Sequence, residues 1–315
     1  MRLPAATAAI LALASATAAA ADAPHKIVYI QGVTGNPFYT SVACGGADEA
    51  KKLGVSFSAQ GPQQFQPQLQ MRVLDAVIAS KPDGILFTAD DPVAMTPTLL
   101  QAKAMGIKII SIDGDLKDMS VAISNIQSNN VEGGREAGEA LARAIGDKGE
   151  VMALENTPAA SVSQQRLLGF TTEIAKHKNI KYLGVQFSNN VTAKAASIVT
   201  STVAAHPNLA GIFTITTNNT EGAATGVREA GGIGKIKIVG YDTSDPIVQD
   251  IRIGLVTADV VQYPYHVGEL GVQLMQDALN GKPIPREASS PFVIATKANI
   301  DTPAVQKFVY KTKCD

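Results

Sequence analysis

The chain contains no tryptophan, and aromatic residues make up only 5% of it. Indole fluorescence therefore cannot report on it, and a turn that carries two rings asks for a reason. Basic excess is also missing: 27 Lys+Arg stand against 28 Asp+Glu, a formal net charge of −1. A nucleic-acid binder needs a basic patch and usually a basic pI, so that class is excluded. After the first 21 residues no stretch approaches the roughly 18 unbroken apolar residues of a membrane span. Nucleophile and metal motifs are absent too. There is no Gly-x-Ser-x-Gly and no His-Glu-x-x-His, and GGIGK (Gly231 to Lys235) lacks the Walker spacing and reads as a helix stop. The four histidines, His25, His177, His206 and His266, are scattered. His177 and His206 fall at helix ends, where a cation suits the helix dipole. No carboxylate pair stands out as an acid and base for glycoside hydrolysis. Neither an enzyme, a metal nor a cofactor is expected.

What is present begins with MRLPAATAAILALASATAAAA, Met1 to Ala21. One Arg, a short apolar run and small residues are the pattern of a cleaved export signal. No Cys stands at the cleavage point, so a lipid anchor is not indicated. The remaining chain, about 290 residues, exceeds what one hydrophobic core usually supports and predicts two domains. Two cysteines, Cys44 and Cys314, in an oxidising compartment suggest a disulfide that straps down the tail FVYKTKCD; two separate thiols are the alternative.

Short apolar, β-branched runs alternate with segments of helical period. KIVYIQ (Lys26 to Gln31), VSFSAQ (Val55 to Gln60), DGILFTA (Asp83 to Ala89), IKIISID (Ile107 to Asp113) and VAISN (Val121 to Asn125) form a first set. EVMALE, KYLGVQF, LAGIFTI, IKIVGYD and VTADVVQ form a second, after Asn129. Near-continuous apolar runs fit strands covered on both faces. Alternating β and α predicts an α/β fold: two Rossmann-like, doubly wound parallel-sheet domains with a ligand cleft between them. Ligands of such sheets bind beyond the carboxyl ends of the strands. There the sequence places Asn36, Phe38 and Tyr39, then Asp90, Asp113, Asp242 and Gln262, with Arg166 near a helix start. Carboxylates, amides and a guanidinium supply the mixed donors and acceptors that a polyhydroxy ligand requires. The two rings after the first strand can cover the C–H face of a sugar. Any one of these residues is as readily a helix cap or a core ring, so the weight rests on the combination.

At these residues the chain resembles the periplasmic sugar-binding proteins of ABC importers, in the ribose/galactose-binding group (type I periplasmic binding proteins). The resemblance spans nearly all of the chain after the signal. It is carried by Asn36-Pro37-Phe38-Tyr39, KPDGILF, GIKIISIDGD, SNNVEGG, QQRLLGF, AHPNLAGIF, VGYD and VVQYPYHVGELG, in that order. It implies ligand contacts from Asn36, Phe38, Tyr39, Asp113, Arg166, Asp242 and Gln262. Asn190 is the closest match to the family's second stacking ring, and Thr216, Asn218 and Asn219 replace its usual Asn-Asp. Gly114 stands where ribose binders carry Arg, which leaves the ligand open among pentoses, hexoses and polyols. The implied organisation is a signal at 1–21, an N-terminal lobe of 25–128 plus 263–290, and a C-terminal lobe of 129–262 plus 291–302. Three crossovers join the lobes, and 303–315 is a tail. The implied partners are a small carbohydrate, an ABC transporter permease and a chemoreceptor. The expected form is a monomer in the periplasm that works by hinge closure. A receptor-docking sensor of the same fold is the rival reading. A lactose-repressor-like regulator conflicts with the export signal and the missing helix-turn-helix segment.

Overall fold

The computed structural model describes residues 24–158 and 161–314; the expected export signal lies outside them. The chain begins with β1 (Lys26–Ile30), α1 (Pro37–Leu53), β2 (Ser56–Gln60), α2 (Pro67–Ala79), β3 (Gly84–Phe87), α3 (Pro92–Ala104), β4 (Lys108–Ile112) and β5 (Ser124–Gln127). It continues with α4 (Asn130–Ala144), β6 (Gly149–Glu155), α5 (Ser161–Ile174), β7 (Ile180–Phe187), α6 (Thr192–Ala205), β8 (Leu209–Thr214), α7 (Thr217–Glu229), β9 (Lys237–Tyr241), α8 (Asp245–Ile253) and β10 (Val256–Gln262). Last come α9 (Pro264–Leu279), β11 (Glu287–Ser289), β12 (Phe292–Thr296) and the single turn α10 (Pro303–Gln306).

Two six-stranded sheets result, in the orders β11-β5-β4-β3-β1-β2 and β12-β10-β9-β8-β6-β7. Every pairing is parallel except that of β12 with β10, so the second sheet is not purely parallel. β5 lies about three residues later than VAISN suggested. Its pairing with β4 runs from Ser124 opposite Ile110, and the buried Val121 and Ala122 lead into it. Alternate residues of each central strand serve opposite faces. Ile27 and Tyr29 join the core under α1 and α9, while Val28 and Ile30 join the one under α2 and α3.

In each lobe a tight helix crossing is built on a glycine from each helix. A Cβ on Gly45 or Gly268 would strike the carbonyl oxygens of Tyr265 and Val42, where α1 meets α9. A Cβ on Gly134 or Gly169 would strike those of Arg166 and Val131, where α4 meets α5. The second crossing sets the height of Arg166.

The chain passes between sheets after β5, after β10 and between β11 and β12. The tail then leaves α10 and returns over the first lobe. Phe308 packs on Tyr263 with ring centroids 4.7 Å apart, and the Lys311 amide donates to Ser41 Oγ at 2.6 Å. Cys314 forms a disulfide with Cys44 of α1. Tail residues Val305, Phe308 and Tyr310 belong to an apolar cluster that includes residues of both lobes.

Candidate functional site

The carboxyl ends of the two sheets face each other across a cleft. From the first lobe come Asn36, Phe38, Tyr39, Phe65, Thr88 and Asp113; from the second, Asn156, Ser163, Arg166, Asn190, Thr216 and Asp242. Asn36 caps α1 through its side chain, which accepts from the Phe38 amide at 2.9 Å, and Pro37 starts the helix in the position that needs no N–H. This turn aims both rings at the cleft. Phe38 is buried and meets Tyr39 edge to face, with centroids 5.4 Å apart.

Asp113, Asn190 and Asp242 each follow a strand with a left-handed backbone, at φ 51°, 59° and 69°. Non-glycine residues rarely adopt this region, and such strain gathers at functional sites. Arg166 is 2% exposed and held on four sides. Nε donates to Asn130 Oδ1 at 2.9 Å; Nη1 donates to the Ile215 carbonyl at 2.8 Å and to Asp242 Oδ2 at 3.2 Å. The guanidinium lies 3.8 Å over the Tyr241 ring. Its Nη2 has no hydrogen-bond partner among the described residues and stands 3.9 Å from Asp113 Oδ1, which has none either. That separation is too long for a hydrogen bond. A donor from one lobe and an acceptor from the other thus face each other across the cleft as a loose ion pair, with no hydrogen bond between them.

Burial sets the charges. It works against the Arg166 cation, but Asp242, Tyr241 and Asp113 outweigh it and raise the pKa above its ordinary value. Asp113 is pushed up to about 6 by burial, with Arg166 pulling the other way and Asp242 adding to the rise. Burial alone pushes Asp90 up to about 8. At neutral pH the cleft therefore offers the Arg166 guanidinium and an ionised Asp113, with Asp90 protonated behind the wall. An added anion would meet the acceptor oxygens of Asp113 and Asp242; a neutral polyhydroxy molecule meets donors and acceptors together.

Other sequence candidates stand behind the wall. Asp90 is 3% exposed, close to Gly32 and the Tyr39 hydroxyl, and both its oxygens lack a hydrogen-bond partner among the described residues. Gln262 is buried and spends its amide on Asp242 Oδ1 at 2.9 Å. Asn219 is fully buried and serves Ser188, the Leu154 carbonyl and Asn156. Asn218 donates to the Asn190 carbonyl at 2.8 Å and lines an adjoining groove. Thr216 is on the wall and donates to Asn156 Oδ1 at 3.0 Å.

Three features escaped the sequence reading. Phe65, from the loop between β2 and α2, adds a third ring; a lone aromatic among Gln and Pro was its only signal. Asp115, the second carboxylate of SIDGD, accepts from Asn125 and Gln127 of its own lobe and from Gln165 of the other at 2.8 Å. Tyr310 of the tail donates to Asp242 Oδ1 at 2.5 Å.

A family model described as a periplasmic binding protein domain matches residues 27–283. An ABC transporter solute-binding protein from Agrobacterium vitis, solved with α-D-tagatopyranose, is 36% identical. Its TM-score is 0.89, over 91% of this chain and 99% of that one. A carbohydrate transporter solute-binding protein from Agrobacterium radiobacter, solved with D-arabinose, is 25% identical with a TM-score of 0.87, over 92% of this chain and 100% of that one. The D-allose-binding periplasmic protein of Escherichia coli is 28% identical over 90% of this chain and 93% of its own. With two α/β lobes closing on a cleft of hydroxyl-binding groups, the chain belongs to the periplasmic binding protein domain family, among the sugar-binding proteins of ABC importers.

Proposed function

We propose that this protein captures a neutral monosaccharide in pyranose form between its lobes and delivers it, closed, to an ABC permease. The observation that carries the reading is the pair Arg166 Nη2 and Asp113 Oδ1, one from each lobe, both buried, 3.9 Å apart as a loose ion pair, and both without a hydrogen-bond partner among the described residues. A ring hydroxyl can accept from the first and donate to the second, and so favours the state in which the lobes are together. Phe38, Tyr39 and Phe65 supply apolar faces for the C–H side of the ring. Asn36, Asn190, Asp242 and Thr216 are the remaining proposed contacts, with Asp90 behind Tyr39 as a further acid. D-tagatose, D-arabinose and D-allose, named for relatives, are the first candidates.

Hinge bending at the three crossovers opens and closes the site. The permease reads the closed form because ligand binds both lobes and shifts the population toward it. The proposed form is a monomer. Residues 1–21 have the composition of a signal removed on export to the periplasm. A sensor would use the same cleft with a chemoreceptor as the reader. Reconstituted permease separates the two, since only the importer stimulates ATP hydrolysis.

The test is calorimetry of the oxidised protein against D-tagatose, D-arabinose, D-allose and D-ribose. One sugar should bind, and Asp113→Asn should weaken it by about 2 kcal/mol, since a bond to a charged group is lost. Asn tolerates the left-handed backbone, so the fold survives. Equal binding by the variant would overturn the site; no binding of any sugar to the wild type would overturn the ligand class.

A further inference from the structure

Asp242 is oriented by three donors. Arg166 Nη1 holds Oδ2 at 3.2 Å, while Gln262 Nε2 and the Tyr310 hydroxyl both donate to Oδ1, at 2.9 and 2.5 Å. Two of the three belong to the second lobe. The third arrives from the tail, and the tail is tied to the first lobe on both sides of it. Before Tyr310, Phe308 stacks on Tyr263 at the start of α9. After it, the Lys311 amide donates to Ser41 Oγ, and Cys314 is bonded to Cys44, both on α1. The Tyr310 ring meets Phe38, a cleft-lining ring of the first lobe, at 5.8 Å between centroids, and is 3% exposed.

We infer that Tyr310 is a specificity-determining positioning residue, brought to the sugar site by the disulfide-anchored tail. The inference rests on the proposed sugar site. A carboxylate oxygen has two lone-pair directions. With Gln262 and Tyr310 on Oδ1, that oxygen is filled, and Asp242 faces the cleft through Oδ2 alone. One free direction, fixed by the tail, selects which ring hydroxyl can donate to it. Without the phenol, Asp242 is held by two donors and can turn, so its free Oδ2 direction no longer selects one configuration at that carbon. The bond also joins first-lobe anchorage to a second-lobe carboxylate, so it forms as the lobes approach. The orientation of Asp242 is thereby completed on closure.

The test titrates wild type, Tyr310→Phe and the double variant Cys44→Ser/Cys314→Ser with the same four sugars. Phe keeps the ring on Phe38 and removes only the hydroxyl, so the melting temperature without sugar should stay within about 2 °C of wild type. The expected result is about a tenfold loss of affinity for the preferred sugar and at least a threefold fall in its preference over the next, as expected for a lost bond to a charged group. The double serine variant should show the same fall in preference, because the tail no longer holds the phenol in place. Unchanged affinities and ratios in Tyr310→Phe would overturn the role of Tyr310. A uniform loss with constant ratios would reduce it to a structural contact. Selectivity intact in the serine variant but lost in Tyr310→Phe would overturn the part played by the anchor. A wild type that binds none of the sugars would refute the sugar reading itself, a different failure from the others.

Discussion

Asp113, Glu155 and Asp90 hold protons where an exposed carboxyl has lost them, with pKa values pushed up by burial to about 6, 7 and 8. In the unfolded chain these groups ionise near pH 4. Between about pH 4 and 8 the folded state therefore binds more protons than the unfolded one, and stability falls as pH rises. The contribution is intact below pH 4 and gone above pH 8. The carboxyls held below the usual range, such as Glu132, Glu173 and Asp277, lose their contributions only in acid, outside this window. The sugar-free protein should melt several degrees lower at pH 8.5 than at pH 5.5, and Asp90→Asn should flatten the upper half of that slope. A melting temperature that rises with pH across this range would contradict the assignment. At this scale the sequence discloses residue types well and their commitments poorly. Asp113 and Arg166 are readable because the first sits at a strand end and the second in the early turns of a helix. Gln262 and Asn219 look identical to ligand amides in sequence, yet each is spent on protein groups. Nothing in YKTKCD announces that its tyrosine reaches a carboxylate on the other lobe.

The crossing of α4 and α5 is the element that places Arg166. Gly134 leaves no room for a side chain against the Arg166 carbonyl, so Gly134→Ala must push α5 outward. Overpacking of this kind costs about 1–3 kcal/mol. The expected outcome is a melting temperature lower by several degrees together with weaker sugar binding, because the guanidinium moves with its helix. Gly231→Ala, in a turn with open space around it, is strained only by its own positive φ and should leave affinity unchanged. Loss of stability without loss of affinity in Gly134→Ala would separate the crossing from the site. Central strands were legible because burial on both faces leaves an unbroken apolar run, as in GILF. β11, the segment Glu-Ala-Ser, was not: it has one half-buried residue, and only its pairing with β5 makes it a strand. The antiparallel sense of β12 was equally hidden, since an apolar run carries no direction.

Across the whole molecule, three crossovers and one disulfide hold the lobes together. The bond closes a loop with a sequence separation of 270 residues. On the chain-entropy account a loop of this size is stabilised by up to about 5 kcal/mol, less any native strain. Cys44→Ser/Cys314→Ser should therefore melt roughly 5–10 °C below the oxidised wild type, and the reduced wild type should match it. Equal melting of oxidised and reduced protein would mean that Ser41, Tyr263 and Tyr310 hold the tail unaided.

The same bond also fixes an order of events. Cys44 is made early and must wait for 270 further residues before its partner exists. With two cysteines in the chain, only one intramolecular pairing is open to it, so oxidation needs no reshuffling. A chain cut short anywhere before Cys314 keeps a lone thiol on its first helix, a chemical mark of unfinished synthesis. Reducing conditions keep such a strap open, and an oxidising compartment closes it.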